Sequence, residues 1–175
     1  MNGESRGGVP ADADAFSLQR FLDAQDRVYA AVTSELRAGR KRSHWMWFVF
    51  PQVAGLGVSP TARRYAIGSL AEAQAYLHHR VLGGRLMECT ELVLTHTNTP
   101  IGRIFGDPDD LKLRSCLTLF AEVAETGEMA GAEEGEGAAP TPFRRALDVF
   151  FEGLADERTL AVLEGWRRGV HGADG

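Results

Sequence analysis

The chain has 175 residues, of which 44% are hydrophobic and 25% are charged, and its formal net charge is −5. This length suits one globular domain with a sizeable core, and no apolar run approaches the roughly 18 residues that a membrane span needs. Two cysteines without Cys-x-x-Cys spacing and an N-terminus without an apolar signal region lead us to expect a cytoplasmic protein, with no disulfide framework, membrane contact, metal or other cofactor.

Basic residues are concentrated in one part of the chain. Residues 36–85 contain eight Lys or Arg residues and one acid, Glu72, so this stretch carries +7 and the remainder −12. The distribution produces either a positive face that attracts a compact anion or a scatter of charges over the folded surface. The negative net charge disfavours a nucleic-acid partner, whose binding would fade steeply with salt.

Apolar periodicity predicts helices along almost the whole chain. Apolar residues at three- and four-residue steps predict a first helix over about 17–38, with Ser17 as its N-cap and Gly39 as its end. The aromatic segment 43–52 is too short for its period to decide its structure. We expect a short buried helix or turn there that ends at Pro51.

Capping residues mark the beginnings of the later helices. Ser59-Pro60 predicts a helix through Ile67, and Ser69 with Glu72 forms a capping box for the next one. The same kinds of signal predict further helices that begin near Leu82, Asp107-Pro108, Thr141-Pro142 and Asp156.

These signals, together with the absence of alternating β-branched runs, predict the fold class. We expect an all-α protein, a compact single-domain orthogonal array of about seven or eight mostly short helices. The domain is predicted over 16–168 and includes a mobile loop at 129–140, which is rich in Ala, Gly and Glu. Residues 1–15 and 169–175 are predicted to be disordered. No oligomeric state follows from these patterns.

The aromatic segment 43–52 contains two of the three tryptophans and follows three consecutive basic residues, 40–42. A flat ring can stack on the indole of Trp45 or Trp47 while Arg42 meets a phosphate. The alternative is that the aromatic side chains belong to the core. His44 lies at the polar end of the segment, where an imidazole either acts near neutral pH or makes a structural hydrogen bond.

A turn with two glycines follows the aromatic segment and leads into a capped helix. The sequence Gly55-x-Gly57-x-Ser59-Pro60 points helix amides at an anion, and Arg63 and Arg64 follow on the first turns. The alternative is that the glycines only turn the chain and Ser59 only caps. The prediction is a small anionic ligand, with these ligand-binding residues: Arg42, Trp45, Trp47, Gly55, Gly57, Ser59, Arg63, Arg64 and Lys112.

Acidic residues near position 109 are further candidates. The helix dipole alone explains acids in a first turn, and we expect Asp110 to pair with Arg114. That pairing leaves Asp109 and Lys112 to face a ligand. No metal site is predicted, because the adjacent His78 and His79 diverge on a helix and no metal-binding motif is present.

Several motifs in the chain occur together in one known family. They are Ser-His-Trp-Met-Trp-Phe at 43–48 followed by Phe-Pro-Gln at 50–52, Gly-Leu-Gly at 55–57, Ile-Phe-Gly at 104–106 and Pro-Asp-Asp-Leu-Lys at 108–112. The chain resembles the bacterial domain of unknown function 1810 family from about Phe21 to Leu163. The resemblance implies one compact all-helical domain and brings no established reaction.

The helical architecture and composition also resemble, more distantly, NADAR-type domains, which are small helical proteins linked to NAD and ADP-ribose metabolism that cleave N-glycosidic bonds. This resemblance implies a diphosphate on the 55–64 turn, a ring against Trp45 or Trp47, and Asp109 or Glu72 stabilising an oxocarbenium-like sugar. The functional hypothesis is therefore binding of a nucleotide or ADP-ribose-like molecule, with hydrolysis by His44, Asp109 and Glu72 if the protein is an enzyme. The alternative is a non-catalytic protein-interaction module that uses a basic face.

Overall fold

The computed structural model describes residues 14–126 and 139–171, and ten helices lie within those ranges. The all-α prediction is confirmed, and the chain forms a single compact domain. The number of helices exceeds the seven or eight expected. The helices are α1 Gln19–Asp26, α2 Tyr29–Arg37, α3 Met46–Val49, α4 Pro60–Arg64, α5 Leu70–His78, α6 Arg80–Leu94, α7 Ile101–Phe105, α8 Asp109–Thr126, α9 Pro142–Phe151 and α10 Glu157–His171.

The predicted first helix is two helices in the structure. α1 ends at Asp26 and α2 begins at Tyr29, and between them Val28 has a φ of −127°, outside the helical region. The prediction of one helix over 17–38 is therefore wrong. Gln25, the half-buried Val28 and Val32 follow one another at steps of three and four residues across the break, so the periodic pattern does not reveal it. Ser17 has a φ of +54° and does not cap α1.

The predicted N-caps of α4, α5 and α9 are confirmed. Each cap hydroxyl accepts a hydrogen bond from the backbone amide three residues later, and the caps are Ser59, Ser69 and Thr141. α4 ends at Arg64 rather than near Ile67. Ile67 instead forms an isolated parallel β-bridge with Val53. The segment 53–67 is therefore a loop whose two ends are joined by backbone hydrogen bonds.

α8 is the central helix of the fold. It packs against α5, α7, α9 and α10, and it buries nine residues between Leu113 and Val123. Because the interior turns of α8 are buried on almost every side, its neighbours surround them, and its charged side chains lie toward its two ends. The first turns of α8 carry Asp109 and Lys112.

Parts of the expected domain organisation lie outside the described residues. These parts are 1–13, 127–138 and 172–175, which contain most of the predicted disordered N-terminus, most of the predicted mobile loop and the end of the predicted tail. α10 extends to His171, beyond the predicted domain boundary at 168. Within 14–126 and 139–171, no helix has the length and apolar character to cross a membrane.

Candidate functional site

A cleft of about 620 Å³ lies between the 52–66 segment and the N-terminal turns of α8 and α10. Its lining comes from four parts of the chain that are distant in sequence, and the loop 53–67 forms one wall. The lining residues are Trp47, Gln52–Gly57, Ala62, Arg63, Tyr65, Ala66, Pro108, Leu111, Lys112, Arg114, Ser115, Asp156 and Arg158.

Four cationic side chains line this cleft. Arg63 comes from α4, Lys112 and Arg114 come from α8, and Arg158 comes from α10. Among the described residues that line the cleft, Asp156 is the single acid. Its Oδ2 accepts hydrogen bonds from the Thr159 amide at 2.9 Å and the Thr159 hydroxyl at 2.6 Å, as the cap of α10. The cleft therefore has an excess of positive charge.

The four cationic side chains differ in whether their N–H donors already bind other groups of the protein. Within 14–126 and 139–171, the exposed side chains of Arg63 and Arg158 form no ion pair or hydrogen bond. Arg114 is engaged, because its Nε donates to the Leu154 carbonyl at 2.7 Å and its Nη2 to the Ala155 carbonyl at 2.9 Å. Among the described residues that line the cleft, Arg63 and Arg158 thus have the guanidinium groups that are available to a ligand.

The predicted ion pair between Asp110 and Arg114 does not form. Arg114 turns to the chain before α10, while Asp110 Oδ1 accepts from the backbone amide of Leu111 at 2.8 Å. Arg114 donates instead to the carbonyls of Leu154 and Ala155, which would otherwise lack a hydrogen-bond donor in the turn before α10. The prediction is therefore wrong, because it considered only the spacing of residues along one helix, whereas the partners of Arg114 come from a distant part of the chain.

A row of alternating charges lies beside the cleft. Asp109 Oδ2 is 2.8 Å from Lys41 Nζ, and its Oδ1 is 3.3 Å from Lys112 Nζ. Lys112 Nζ is in turn 4.9 Å from the centre of the Trp47 ring, a cation–π distance. Asp109 therefore holds Lys112 over one face of the indole that lines the cleft.

The two tryptophans of the aromatic segment have different surroundings. Trp45 is 0% exposed and packs edge-on against Phe105, and its Nε1 donates to Glu35 Oε2 at 2.9 Å. Trp47 is partly exposed and lies on the cleft wall. Trp45 therefore offers no free face to a ligand, as the core alternative anticipated.

Glu35 anchors the chain that leads into the aromatic segment. It accepts hydrogen bonds from the Arg42 amide at 2.8 Å, the Ser43 amide at 3.1 Å, the Ser43 hydroxyl and the Trp45 indole. Burial alone would raise the pKa of this carboxyl, but these hydrogen bonds outweigh burial and lower the pKa to about 2. Nothing in the sequence singled out Glu35, because its partners lie seven to ten residues away across the end of α2.

Both glycines of the predicted turn line the cleft. Gly55 has a φ of +96°, which side-chain-bearing residues rarely adopt, and a Cβ on Gly57 would lie 2.5 Å from the Cβ of Ala62. The turn therefore requires glycine for its shape. Ser59, which follows, uses its hydroxyl to cap α4 at 3.1 Å from the Ala62 amide, and it does not line the cleft.

Glu72 stabilises the segment that forms one wall of the cleft, without lining the cleft itself. Its Oε1 is 2.7 Å from Arg20 Nη2, and its Oε2 accepts from the Gly68 amide at 2.7 Å. The same arginine donates to the carbonyls of Arg64 at 2.8 Å and Ala66 at 3.1 Å. Glu72 is buried away from the cleft and fixes the segment 64–68 through Arg20.

The structure brings some of the predicted site residues together and separates others. Those that line the cleft are Trp47, Gly55, Gly57, Arg63 and Lys112. Asp109 does not line the cleft, but it forms an ion pair with Lys112, which does. The predicted residues outside the lining are Arg42, His44, Trp45, Ser59, Arg64 and Glu72, of which Arg42, His44, Ser59 and Arg64 are exposed. His44 and Asp109 therefore do not meet in one cleft with Glu72.

Sequence reasoning missed Arg114, Arg158 and Tyr65 as cleft residues. A signal existed for Arg158, since it follows the predicted cap Asp156 by two positions and so lies in the first turn of the last helix. No signal existed for Arg114 or Tyr65, because their place depends on how α8 packs against the loop. Helix packing rather than local pattern selects these residues.

Metal-binding and thiol chemistry find no support in the described parts of the chain. No group of three His, Cys, Asp or Glu side chains there is arranged to hold a metal ion. Cys89 and Cys116 are both buried, and burial raises the pKa of the Cys89 thiol to about 12. Neither thiol is therefore an activated nucleophile.

Comparison with known proteins gives a family and a structural relative. The family described as "Protein of unknown function (DUF1810)" matches residues 15–163. The crystal structure of the conserved hypothetical protein Rv1873 from Mycobacterium tuberculosis is 52% identical, with a TM-score of 0.76 over 85% of this chain and 97% of that chain. No curated protein matches the chain. The likeness to NADAR-type domains stays a prediction.

Proposed function

The chain belongs to the DUF1810 family, and from the geometry of its cleft we propose that it binds a phosphorylated, ring-containing small molecule of the nucleotide class. The observation that carries the proposal is the convergence of four cationic side chains on one cleft in a protein whose net charge is −5. Charge of one sign in a concave site focuses the field and concentrates anions there.

The two available arginines suit a phosphate group. A guanidinium presents paired N–H donors that match phosphate oxygens in a bidentate arrangement, and such charge-assisted hydrogen bonds are stronger than neutral ones. Arg63 and Arg158 line the cleft from α4 and α10, and the proposal is that these two residues bind the phosphate from opposite walls. Lys112 and the guanidinium of Arg114, which keeps unused N–H donors, add positive charge on the α8 side.

The volume of the cleft supports a ligand larger than phosphate itself. About 620 Å³ falls within the range of roughly 300–1,000 Å³ that is usual for small-molecule sites. Apolar side chains share the lining with the cations, among them Leu56 and Leu111. A molecule that joins an anionic group to a ring fits this mixture better than an inorganic anion does.

The carboxylates favour binding over hydrolysis of an N-glycosidic bond. Asp156 is used in capping, both oxygens of Asp109 face lysines, and Glu72 lies behind the wall. Hydrolysis requires an acid and a carboxylate at the anomeric carbon, and none of these three is placed for it without rearrangement. The proposal is therefore a binding function first, with Asp109 as the residue on which a hydrolytic activity would depend.

Calorimetric titration with AMP, ADP-ribose and NAD tests the proposal. We expect the wild-type protein to bind at least one of them, and Arg63→Ala and Arg158→Ala each to weaken that binding about ten-fold or more, the value of a lost charge-assisted hydrogen bond. Arg103→Ala is the matched control, because Arg103 is exposed and lies on α7 outside the cleft. If none of the three nucleotides binds, the proposal is wrong and the basic face is left to the protein-interaction alternative.

Asp109→Asn separates a structural from a catalytic role of that carboxylate. Because Lys112 would lose an anion 3.3 Å away, we expect nucleotide affinity to rise several-fold. Chromatographic detection of released base or nicotinamide provides the second readout. Asp110→Asn is the control, since Asp110 interacts with the amide of Leu111. Base release by the wild type that disappears in Asp109→Asn would instead assign Asp109 to catalysis.

A further inference from the structure

The aromatic rings on the cleft wall are already engaged by the protein. Lys112 lies over Trp47, and the ion pairs of Asp109 with Lys112 and with Lys41, whose side chain is 7% exposed, hold it there. A ligand ring that stacked on this face of the indole would have to displace a lysine that is both ion-paired and in a cation–π contact. That displacement offsets the gain from stacking.

Tyr65 is no freer than Trp47. Its ring packs edge-on against Phe48, with centroids 5.2 Å apart, and lies 5.8 Å from the ring of Phe21. The guanidinium of Arg64 is 5.6 Å from the same ring. The cleft therefore has to hold the apolar part of a ligand by other side chains.

An exposed aliphatic side chain, that of Leu111, lines the cleft. The three most exposed large hydrophobic residues of the described chain are Val58 at 81%, Leu154 at 58% and Leu111 at 54%. Leu111 lines the cleft, Val58 follows the lining residue Gly57, and the carbonyl of Leu154 accepts from the lining residue Arg114. Single exposed apolar residues are ordinary, but Leu111 is 54% exposed inside a charged cleft, so it leaves apolar surface where a ligand would cover it.

We infer that the ligand is an amphiphilic anion whose ring packs against Leu111 and Leu56, with its anionic group on Arg63 and Arg158, and does not stack on Trp47. This inference rests on the proposed function and deepens it by naming the residue that determines specificity. Leu111 belongs to the first turn of α8, next to Lys112, so apolar and cationic contacts alternate there within one helical turn. A sugar phosphate without a base would gain the contacts to the arginines alone.

AMP and ribose 5-phosphate form a matched pair of probes, because they carry the same phosphate and differ in the base. We expect the wild-type protein to bind AMP more tightly. Leu111→Ala should weaken AMP binding about five-fold, since the ligand ring then removes less apolar surface from water, and should leave ribose 5-phosphate within two-fold of wild type. Chemical-shift titration covers weak as well as tight binding.

Met87→Ala is the control, since Met87 is 44% exposed on α6 and does not line the cleft. Circular dichroism checks that Leu111→Ala is folded, which its surface position favours. Equal binding of the two probes to the wild type, or an equal effect of Leu111→Ala on both, would overturn the inference and leave the anion site standing. If neither probe binds the wild type, the inference is wrong, and the titrations with ADP-ribose and NAD decide separately whether the proposed function stands.

Discussion

Glu35 shows how one side chain organises the region around the candidate site. It accepts four hydrogen bonds from the chain at 42–45, and these fix the direction in which the aromatic segment enters α3. Charged acceptors satisfy several donors more strongly than neutral ones do. The position of Trp47 on the cleft wall therefore depends on a carboxylate that does not touch the cleft.

Glu35→Gln tests this anchoring at the residue scale. The amide nitrogen of glutamine would face donors, so we expect a loss of about 1–3 kcal/mol in the free energy of unfolding at pH 7. The pKa of Glu35 is lowered from 4.5 to about 2, so its contribution to stability is complete above about pH 4.5 and is lost as the pH falls toward 2. Urea unfolding at several pH values should show the two proteins converging in acid.

The control for this measurement is Glu164→Gln. Glu164 forms an exposed ion pair with Arg168 at 3.4 Å, and such pairs contribute about 0–1 kcal/mol. A difference between wild type and Glu35→Gln that stayed constant from pH 7 to pH 3 would show that the negative charge of Glu35 is not what stabilises the segment.

The two tryptophans show what residue-level patterns leave open. Trp45 and Trp47 occur in the same decapeptide, yet one is in the core and the other faces the cleft. α3 is four residues long, so no helical period shows which side faces inward. The packing of Phe105 against Trp45 decides it, and Phe105 is sixty residues away.

At the scale of elements, the junction of α5 and α6 depends on a glycine. α6 begins directly after α5, and a Cβ on Gly83 would lie 1.9 Å from the carbonyl oxygen of Leu77. His79 caps α6 with its Nδ1, which accepts from the amides of Val81 and Leu82 at 3.2 Å. The close approach of backbone to backbone leaves no room for a side chain at position 83.

Gly83→Ala and Gly84→Ala therefore have opposite predicted effects, although the two residues are neighbours. Alanine at 83 would press on backbone that cannot rotate away, and we expect a loss of about 3 kcal/mol or more. Alanine at 84 meets open space in a helix interior, and we expect a gain of about 0.5–1 kcal/mol. Urea unfolding measures both, and destabilisation by Gly84→Ala would contradict the packing described for α6.

Helix beginnings were easier to predict than helix ends. The caps Ser59, Ser69 and Thr141 act on amides three residues later, so their signal is local and the sequence contains all of it. The end of α4 depends on the bridge between Val53 and Ile67, which joins residues fourteen apart. The break between α1 and α2 was missed because Gln25, Val28 and Val32 keep helical spacing across it.

At the scale of the whole molecule, Arg20 connects the N-terminal helix to the cleft wall. Its guanidinium pairs with Glu72 and also donates to carbonyls on both sides, at Phe16 and Ser17 in one segment and at Arg64 and Ala66 in the other. One side chain thus holds three parts of the chain together. Tyr65 and Ala66, which it fixes, line the cleft.

Arg20→Met is predicted to destabilise the protein and to weaken nucleotide binding together. Removing one partner of a buried ion pair costs about 3–5 kcal/mol, and we expect about 2–3 kcal/mol because the pair retains some exposure. Adding Glu72→Gln should recover part of the loss, since no unpaired buried carboxylate remains. Denaturant unfolding and calorimetry of the single and double variants measure both effects.

Arg168→Met is the matched control for Arg20→Met, because Arg168 is exposed and pairs with Glu164 within one helix. A single variant Arg20→Met as stable as the wild type would refute the role given to Arg20. Retained nucleotide affinity in a destabilised Arg20→Met would show that the 64–68 segment keeps its position without this contact.

The sequence by itself determined the all-α class, most helix beginnings and one stretch of positive charge, because periodicity, caps and composition act over a few residues. It also identified as candidates five residues that line the cleft in the structure: Trp47, Gly55, Gly57, Arg63 and Lys112. Only the tertiary structure decided that Arg114 and Arg158 join them while Trp45 and Glu72 do not. The reason is physical: the cleft is formed by α4, α8 and α10, and the packing of helices distant in sequence selects which side chains share it.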